Sequence, residues 1–292
     1  MHQALFVVNN LSGTVSKYNI SKIVELNLDT DKFQYSFFYI DEKTNSNEYQ
    51  SIFEKNYDVI VSVGGDGTLL EIGQNLINQK TILGIVPIGS GNGLATHLGY
   101  KPRNLEQAFD AINRLEVIEI DAAQINESYF FSNFGYGIDA KIAKDFKTKK
   151  NRGFLVYSWL TVKRFFKLKT QKVAYKIHGE TFKVQTYLFN VFNSNLFGYN
   201  VGLIPWASAF DQKLDLVYLK KFPFWKLPYI SFCILIKKPE WIKEMVYQEM
   251  EEIEIINNKG KMKYQVDGDP KITKENLKIK IIPKALRVVK PL

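Results

Sequence analysis

The amino-acid sequence predicts an α/β domain built on a parallel sheet, followed from residue 121 by mainly antiparallel β structure. Three observations carry that reading. The apolar runs Leu5 to Val8, Tyr35 to Ile40, Val59 to Val63 and Ile82 to Val86 alternate with helical or polar stretches, as parallel strands with covering crossovers do. Two of these runs feed directly into glycine-rich turns that open helical stretches. From Ile118 onward, strand-like runs follow one another with few strong helices between them, the pattern of an antiparallel sheet. The 292 residues, 46% of them hydrophobic, suffice for two ordinary domains with real cores. No repeat, low-complexity tract or long linker interrupts the chain, so the boundary near residue 120 is a hinge at most.

Taken in order, Leu5 to Val8 is the first strand, and Asn9-Asn-Leu-Ser-Gly13 after it reads as an Asx or Ser turn near the ligand edge of the sheet. The next glycine-bearing unit is Val59-Ile-Val-Ser-Val-Gly-Gly-Asp-Gly-Thr68. Its Gly64, Gly65 and Gly67 predict a backbone that takes positive φ and approaches a ligand without Cβ clashes, its amides facing an anion. Thr68 to Ile77 has apolar residues at helical spacing, and the amides at that helix start favour phosphate. Asp66 sits at the centre of the turn, where a carboxylate among anion-binding amides is costly unless it serves a metal, a water or a reacting proton. Taken alone, Gly-Gly-Asp-Gly has a plainer alternative, a β-turn with Asp as the turn former. Thr81 to Val86 repeats the grammar, leading through Pro87-Ile-Gly-Ser-Gly-Asn-Gly93 into a helical Leu94 to Leu98. Gly89 lies in this second turn, and Ser90 and Asn92 offer side-chain hydrogen bonds to phosphate or ribose. Loops of this kind lie at the carboxyl ends of strands, where ligands bind open α/β sheets.

In the second half, strands are expected at Tyr129 to Phe134, Val173 to Ile177, Val184 to Phe192, Leu214 to Leu219, Ile253 to Ile256 and Leu277 to Ile282. Gly135-Tyr-Gly-Ile-Asp-Ala140 fits a dinucleotide fingerprint but lacks the acid about twenty residues on that would hold a ribose, so a bulged strand is the simpler reading. There is no P-loop, protein-kinase catalytic loop, metal-spaced histidine group or Ser/His/Asp grouping. Cys233 is the single cysteine, which excludes an internal disulfide, and its apolar neighbours predict a buried thiol. Met1 to Val8 lacks a basic start, so no signal peptide is expected, and a cytoplasmic location follows. Phe222 to Ile236 is broken by two prolines and a lysine and is too short to span a bilayer. Its aromatics and flanking lysines read either as a peripheral contact with an anionic membrane at its inner face or as a helix packed on the β domain. The basic stretch Lys141 to Lys172 and the net charge of +9 favour acidic surfaces, with no specific nucleic-acid module.

The spacing and order of the motifs resemble those of the diacylglycerol and sphingosine kinase superfamily over nearly the whole chain. Gly64-Gly-Asp-Gly-Thr68 resembles its nucleotide loop, Pro87-Ile-Gly-Ser-Gly-Asn92 its second loop, and Asn9-Asn-Leu-Ser-Gly13 its N-terminal turn. Asp211-Gln-Lys-Leu-Asp215, Val266-Asp-Gly-Asp-Pro270 and Ala285-Leu-Arg-Val-Val289 are similar to later elements of the family. The chain departs from the pattern at Asn10, Leu70, Gly93 and Gln212, and has Asp269 where the family usually carries a Glu.

The resemblance implies a catalytic α/β domain over residues 1–120 and a β-sandwich over residues 121–292, whose final strand is free to return to the first domain. It implies an ATP- and Mg²⁺-dependent kinase acting on a membrane-lipid hydroxyl, with diacylglycerol first and a sphingoid base next. Asn9, Ser12, Gly13, Gly64, Gly65, Asp66, Gly67, Thr68, Gly89, Ser90 and Asn92 would bind nucleotide. Asp66 would organise hydrated Mg²⁺, Asp269 would take the hydroxyl proton, and Asp267 would tighten their acidic network. Asp211 would hold a structural Mg²⁺ with carbonyls near Ser208 and Lys213. A homodimer remains open. The alternatives are an NAD kinase, whose loop Gly64 to Leu70 also resembles, and a catalytically weak lipid- or nucleotide-binding regulator, which Leu70 and Gly93 motivate.

Overall fold

The structure is a computed structural model that describes residues 1–11, 15–89, 92–137, 170–195, 203–258 and 260–291. They fall into two compact units, Met1–Ile120 with Lys284–Leu292, and Asp121–Pro283.

The first unit is a parallel sheet. Strands β1 (His2–Asn9), β2 (Phe33–Ile40), β3 (Val59–Gly64) and β4 (Ile82–Pro87) lie in the order β2-β1-β3-β4. The end of a long last strand, β15 (Leu277–Val289), pairs parallel beside β4 at Val288↔Leu83. Every residue of β3 and β4 is buried, which is why both read as unbroken apolar runs. Helices α1 (Ile20–Asn27), α2 (Ser46–Ser51) and α5 (Leu105–Arg114) start at Asn19, Asn45 and Asn104, whose side chains accept the amides of Lys22, Glu48 and Gln107. Such caps contribute about 1 kcal/mol each. Helix α5 turns Ala108, Phe109 and Ile112 inward, and Phe109 stacks on Phe6 at 6.3 Å. At the end of the chain, the Tyr100 hydroxyl donates to the Val289 carbonyl at 2.8 Å.

Two helix starts differ from expectation. Helix α3 runs Asp66–Asn75, two residues ahead of the predicted start, because extended Gly65 serves as its N-cap and draws Asp66 into the first turn. Helix α4 is Gly93–His97, preceded by Asn92 in the left-handed region at φ 56°.

The second unit is antiparallel, as expected. Its strands are the later part of β5 (Val117–Ile125), then β6 (Ser128–Phe130), β7 (Asn133–Gly137), β8 (Gln171–Ile177), β9 (Glu180–Phe192), β10 (Leu214–Lys220), β11 (Met245–Met250), β12 (Glu252–Ile256), β13 (Met262–Val266) and β14 (Asp269–Thr273), with the start of β15. The order β14-β13-β7-β9-β8-β12 ends on β15, and β10 pairs with both β9 and β11. Alternation sorts side chains into two cores. Phe189 and Val191 of β9, with Leu216 and Tyr218 of β10, enter one cluster that includes Phe134, Tyr175 and Ile279. Leu188 and Phe192, with Val217 and Leu219, enter the other. That second core is closed by α6 (Leu227–Leu235) through Leu227, Ile230 and the buried thiol of Cys233. Gly135 and Tyr136 lie within β7, paired on both sides, and Gly137 ends it paired with Leu188, rather than in a turn that would receive a dinucleotide.

The run Tyr129 to Phe134, expected as one strand, is divided between β6 and β7. The cause is Asp267, whose carboxylate accepts the amides of Phe131 (3.0 Å), Ser132 (2.8 Å) and Asn133 (2.9 Å) where the chain bends. Asp267 and Gly268, both at positive φ, form the two-residue turn between β13 and β14. Replacing Asp267 by Ala leaves those amides without their acceptor and is expected to cost about 3 kcal/mol in urea unfolding. Asn, which tolerates the left-handed region and keeps one acceptor oxygen, should restore about half. A loss below about 0.5 kcal/mol for the Ala variant would remove this role from Asp267.

Candidate functional site

Because β1, β3 and β4 are neighbouring parallel strands, the turns that follow them leave the sheet at one carboxyl edge. Asn9 ends β1; its Nδ2 donates to Thr68 Oγ1 at 2.9 Å, and its Oδ1 accepts the Leu11 amide at 3.0 Å. The two glycine turns are joined backbone to backbone. The Gly64 carbonyl accepts both the Ile88 and Gly89 amides at 3.0 Å, carrying the β3–β4 contact beyond the strands. A Cβ at Gly89 would lie 2.3 Å from the Cα of Gly65, and one at Gly64 would lie 2.8 Å from Thr68 Oγ1.

This corrects the expected reason for the glycines. Gly64, Gly65 and Gly67 are not among the residues with positive φ; Gly65, for example, sits at φ −108°. Close approach demands the first two, whereas a Cβ at Gly67 would meet open space. The left-handed residue of the site is Asn92. It is 2% exposed, and its Oδ1 accepts the Gly89 amide while its Nδ2 donates to the Gly89 carbonyl, at 3.0 and 2.9 Å. The side chain therefore closes the second loop on itself. Asp66 fastens the first loop to the second: its carboxylate accepts backbone amides of Gly93, Leu94 and Asn92, which oppose an upward pKa shift caused chiefly by burial. Ser12, Gly13 and Ser90 lie outside the described residues.

In the second unit, Asp211 stands in a group of acids. Its Oδ1 accepts the Lys213 amide at 3.1 Å. Burial raises its pKa, and the charges of Asp121 and Glu249 raise it further. Asp215 of β10 faces Glu249 of β11 across the ladder. Burial, followed by Asp211 and Glu249, pushes it to about 6. Lys213 offsets part of this charge and pairs with Glu249. Asp121, 1% exposed, accepts the Gln212 amide at 2.7 Å through Oδ2, and its own amide donates to the Ala209 carbonyl. Ser208 Oγ accepts the Phe210 amide at 3.2 Å. Sequence reasoning did not single out Asp121 or Glu249; an acid inside the apolar run Ile120-Asp-Ala-Ala was the available signal for Asp121. Among the described residues, no three or more His, Cys, Asp and Glu side chains are gathered closely enough to hold a metal by themselves. Asp269, the first residue of β14, is exposed opposite Val266 on the Asp267 hairpin.

Comparison with known proteins decides the family. Residues 3–125 match the model described as the diacylglycerol kinase catalytic domain, and residues 132–290 match the YegS C-terminal NAD kinase β-sandwich-like domain. The chain belongs to the YegS-like diacylglycerol kinase family. It is similar to the diacylglycerol kinase of Bacillus subtilis (strain 168), at 27% identity over 74% of this chain and 72% of that protein. It also matches an Enterobacter sp. (strain 638) protein named "Probable lipid kinase YegS-like", at 29% identity over 78% and 77% of the two chains. A crystal structure of a diacylglycerol kinase from Bacillus anthracis str. Sterne has the same fold, with a TM-score of 0.70 at 19% identity, covering 99% of this chain and 97% of that one. Like its family, the protein is a phosphotransferase with an alcohol acceptor, and kinase membership implies the use of ATP.

The loop contacts make opposite forecasts for two glycines of this kinase. Gly89→Ala should lose more than about 3 kcal/mol in thermal unfolding, since the nearest atom, at 2.3 Å, is the Gly65 backbone, which cannot rotate away, and the Asn92 side chain at 2.8 Å is itself tied to Gly89. Gly67→Ala, near the start of α3, should gain about 0.5 to 1 kcal/mol. Equal effects would refute the close-approach account.

A second forecast concerns pH. The folded chain holds the Asp215 proton up to about pH 6 against 3.8 for the free group, so between those values stability falls as pH rises, by roughly 3 kcal/mol in all. With divalent cations chelated, Asp215→Asn should match the parent near pH 4 and exceed its unfolding temperature above pH 6. A constant difference across that range would count against the raised pKa.

Proposed function

We propose that this enzyme transfers the γ-phosphoryl group of ATP to a hydroxyl of a membrane lipid, diacylglycerol first and a sphingoid base second, with Mg²⁺. The observation that carries the reading is the bare backbone approach of Gly65 and Gly89, which leaves amides at a sheet edge where a phosphate chain is held without side-chain obstruction. Residues 1–120 would form the catalytic nucleotide domain and 121–292 the β-sandwich domain. Amides of Gly64 to Thr68 would bind the phosphates, with Gly89 closing the second loop beside them through its amide's bonds to Gly64 and Asn92, and Asn9 and Asn92 holding the loops around them.

The acids suit a divalent cation. Asp211 and Asp215 both carry pKa values raised first by burial and then by neighbouring negative charge. Asp66 would hold hydrated Mg²⁺ beside the nucleotide, and Asp211 would hold a structural one with the carbonyls near Ser208 and Lys213. When bound, Mg²⁺ neutralises phosphate charge. Asp269 would accept the proton of the lipid hydroxyl as its oxygen attacks the γ-phosphorus and ADP departs. Its exposure supports that role, because a base has to be reachable by substrate. Asp267, with its carboxylate on the amides of residues 131 to 133, would set the hairpin that carries Asp269.

Labelled ATP with mixed micelles of diacylglycerol or sphingosine tests the reading. Label should enter lipid with the parent, disappear when Mg²⁺ is chelated, and fall about 10²- to 10⁴-fold in Asp269→Asn. Gly67→Ala, whose fold is undisturbed, should bind ATP at least about tenfold more weakly if phosphate occupies the space beside Gly67. NADP formation without lipid labelling would instead make the protein an NAD kinase, and ATP binding without turnover of either substrate would make it a regulator.

A further inference from the structure

Helix α6 is apolar on both sides. Leu227, Ile230 and Cys233 point into the second core, so the opposite face should carry polar or charged residues, as the outer side of a packed helix ordinarily does. It does not. Trp225 (73% exposed), Tyr229, Phe232 (55% exposed) and Ile236 follow one another at spacings of four, three and four residues, forming one outward stripe. The Tyr229 hydroxyl donates to the Trp241 carbonyl at 2.9 Å, which holds the adjoining turn Pro239–Trp241 against the helix, and Trp241 is itself half exposed. No Asp, Glu, Lys or Arg occurs from Leu227 to Ile236.

The charge around this stripe is one-sided. From Lys220 to Glu244 the sequence has six lysines against two glutamates. Both glutamates are engaged by lysines of the same segment, Glu244 by Lys226 and Glu240 by Lys238. Lys221 and Lys237 are exposed and have no acidic partner among the described residues, and Lys243 is exposed beside Glu244, on which its charge acts after that of Lys226. Trp and Tyr beside lysines, around an apolar stripe too short to span, match the chemistry of a headgroup layer: aromatic rings at the acyl boundary and ammonium groups at the phosphates.

We propose that the outward face of α6, with Trp225, Tyr229, Phe232, Ile236 and Trp241 framed by Lys221, Lys237 and Lys243, is the surface on which the protein docks to an anionic lipid interface. The assignment deepens the lipid kinase reading, since an enzyme with a lipid acceptor works at an interface, but it needs no catalytic step. Its test is therefore read without ATP: failure to phosphorylate lipid leaves it intact, and failure to bind vesicles leaves the reaction class intact.

The experiment is sedimentation of the full chain with phosphatidylcholine vesicles, with and without phosphatidylglycerol. The parent should bind the anionic vesicles at least about tenfold more tightly than the neutral ones, and its tryptophan emission should shift to the blue on binding. Trp225→Ser with Phe232→Ser should lose at least about tenfold of the binding at an unchanged unfolding temperature. Lys237→Glu with Lys243→Glu should lose the anionic preference alone. The proposal is overturned if the parent ignores vesicles, or if the serine variant binds as the parent does. It is equally overturned if light scattering finds a parent dimer that the serine variant turns into a monomer, since the stripe would then be an interface between copies.

Discussion

The candidate nucleotide site depends on one contact: the passage of the Gly65 backbone against that of Gly89. Adjacent parallel strands lie about 4.8 Å apart, so the turns leaving β3 and β4 have no room for side chains between them. The Gly64 carbonyl uses that proximity to bind two amides of the second turn. Everything else at this edge follows from holding the loops there. Asn92 knots the second loop, Asp66 ties the first to the amides ahead of α4, and Asn9 reaches from β1 to Thr68. These side chains thus act on backbone and fix the course of the two loops. The geometry is prepaid in the fold and requires little rearrangement at the moment of binding.

The acids of the second unit follow a different logic. Asp121, Asp211, Asp215 and Glu249 are brought near one another by the β10–β11 ladder and the turn ahead of it, and Lys213 offsets only part of their charge. The repulsion lowers the stability of the ionised state, which a protein tolerates where the charge has a use. A bound cation would reverse the sign of that interaction.

The same sheet explains how a nine-residue helix is presented outward. Strands β9 and β10 bury both faces by alternation, one face on the aromatic cluster around Tyr175 and Phe189 and the other beneath α6. Because the core needs only one side of α6, the composition of the other side was not dictated by folding.

Local sequence determined much of this protein. Buried parallel strands declare themselves as apolar runs, and strand-to-glycine turns mark the ends that face ligand; β1, β3, β4 and both loops were legible for that reason. Cys233 was legible as a buried thiol from its neighbours alone. Strands such as β11 (Met-Val-Tyr-Gln-Glu-Met) and β14 (Asp-Pro-Lys-Ile-Thr) were not, because they are half-exposed and their pairing is supplied by partners distant in the chain. Tertiary structure alone decided why the glycines are needed, since close approach is a property of two loops and cannot be read from either. It also decided that Asp267 divides β6 from β7, and that Asp121 and Glu249 join Asp211 and Asp215. Electrostatic groups are assembled by contacts between distant parts of the chain, as between Asp121 and Gln212 at a separation of 91 residues, and no local periodicity encodes such distances.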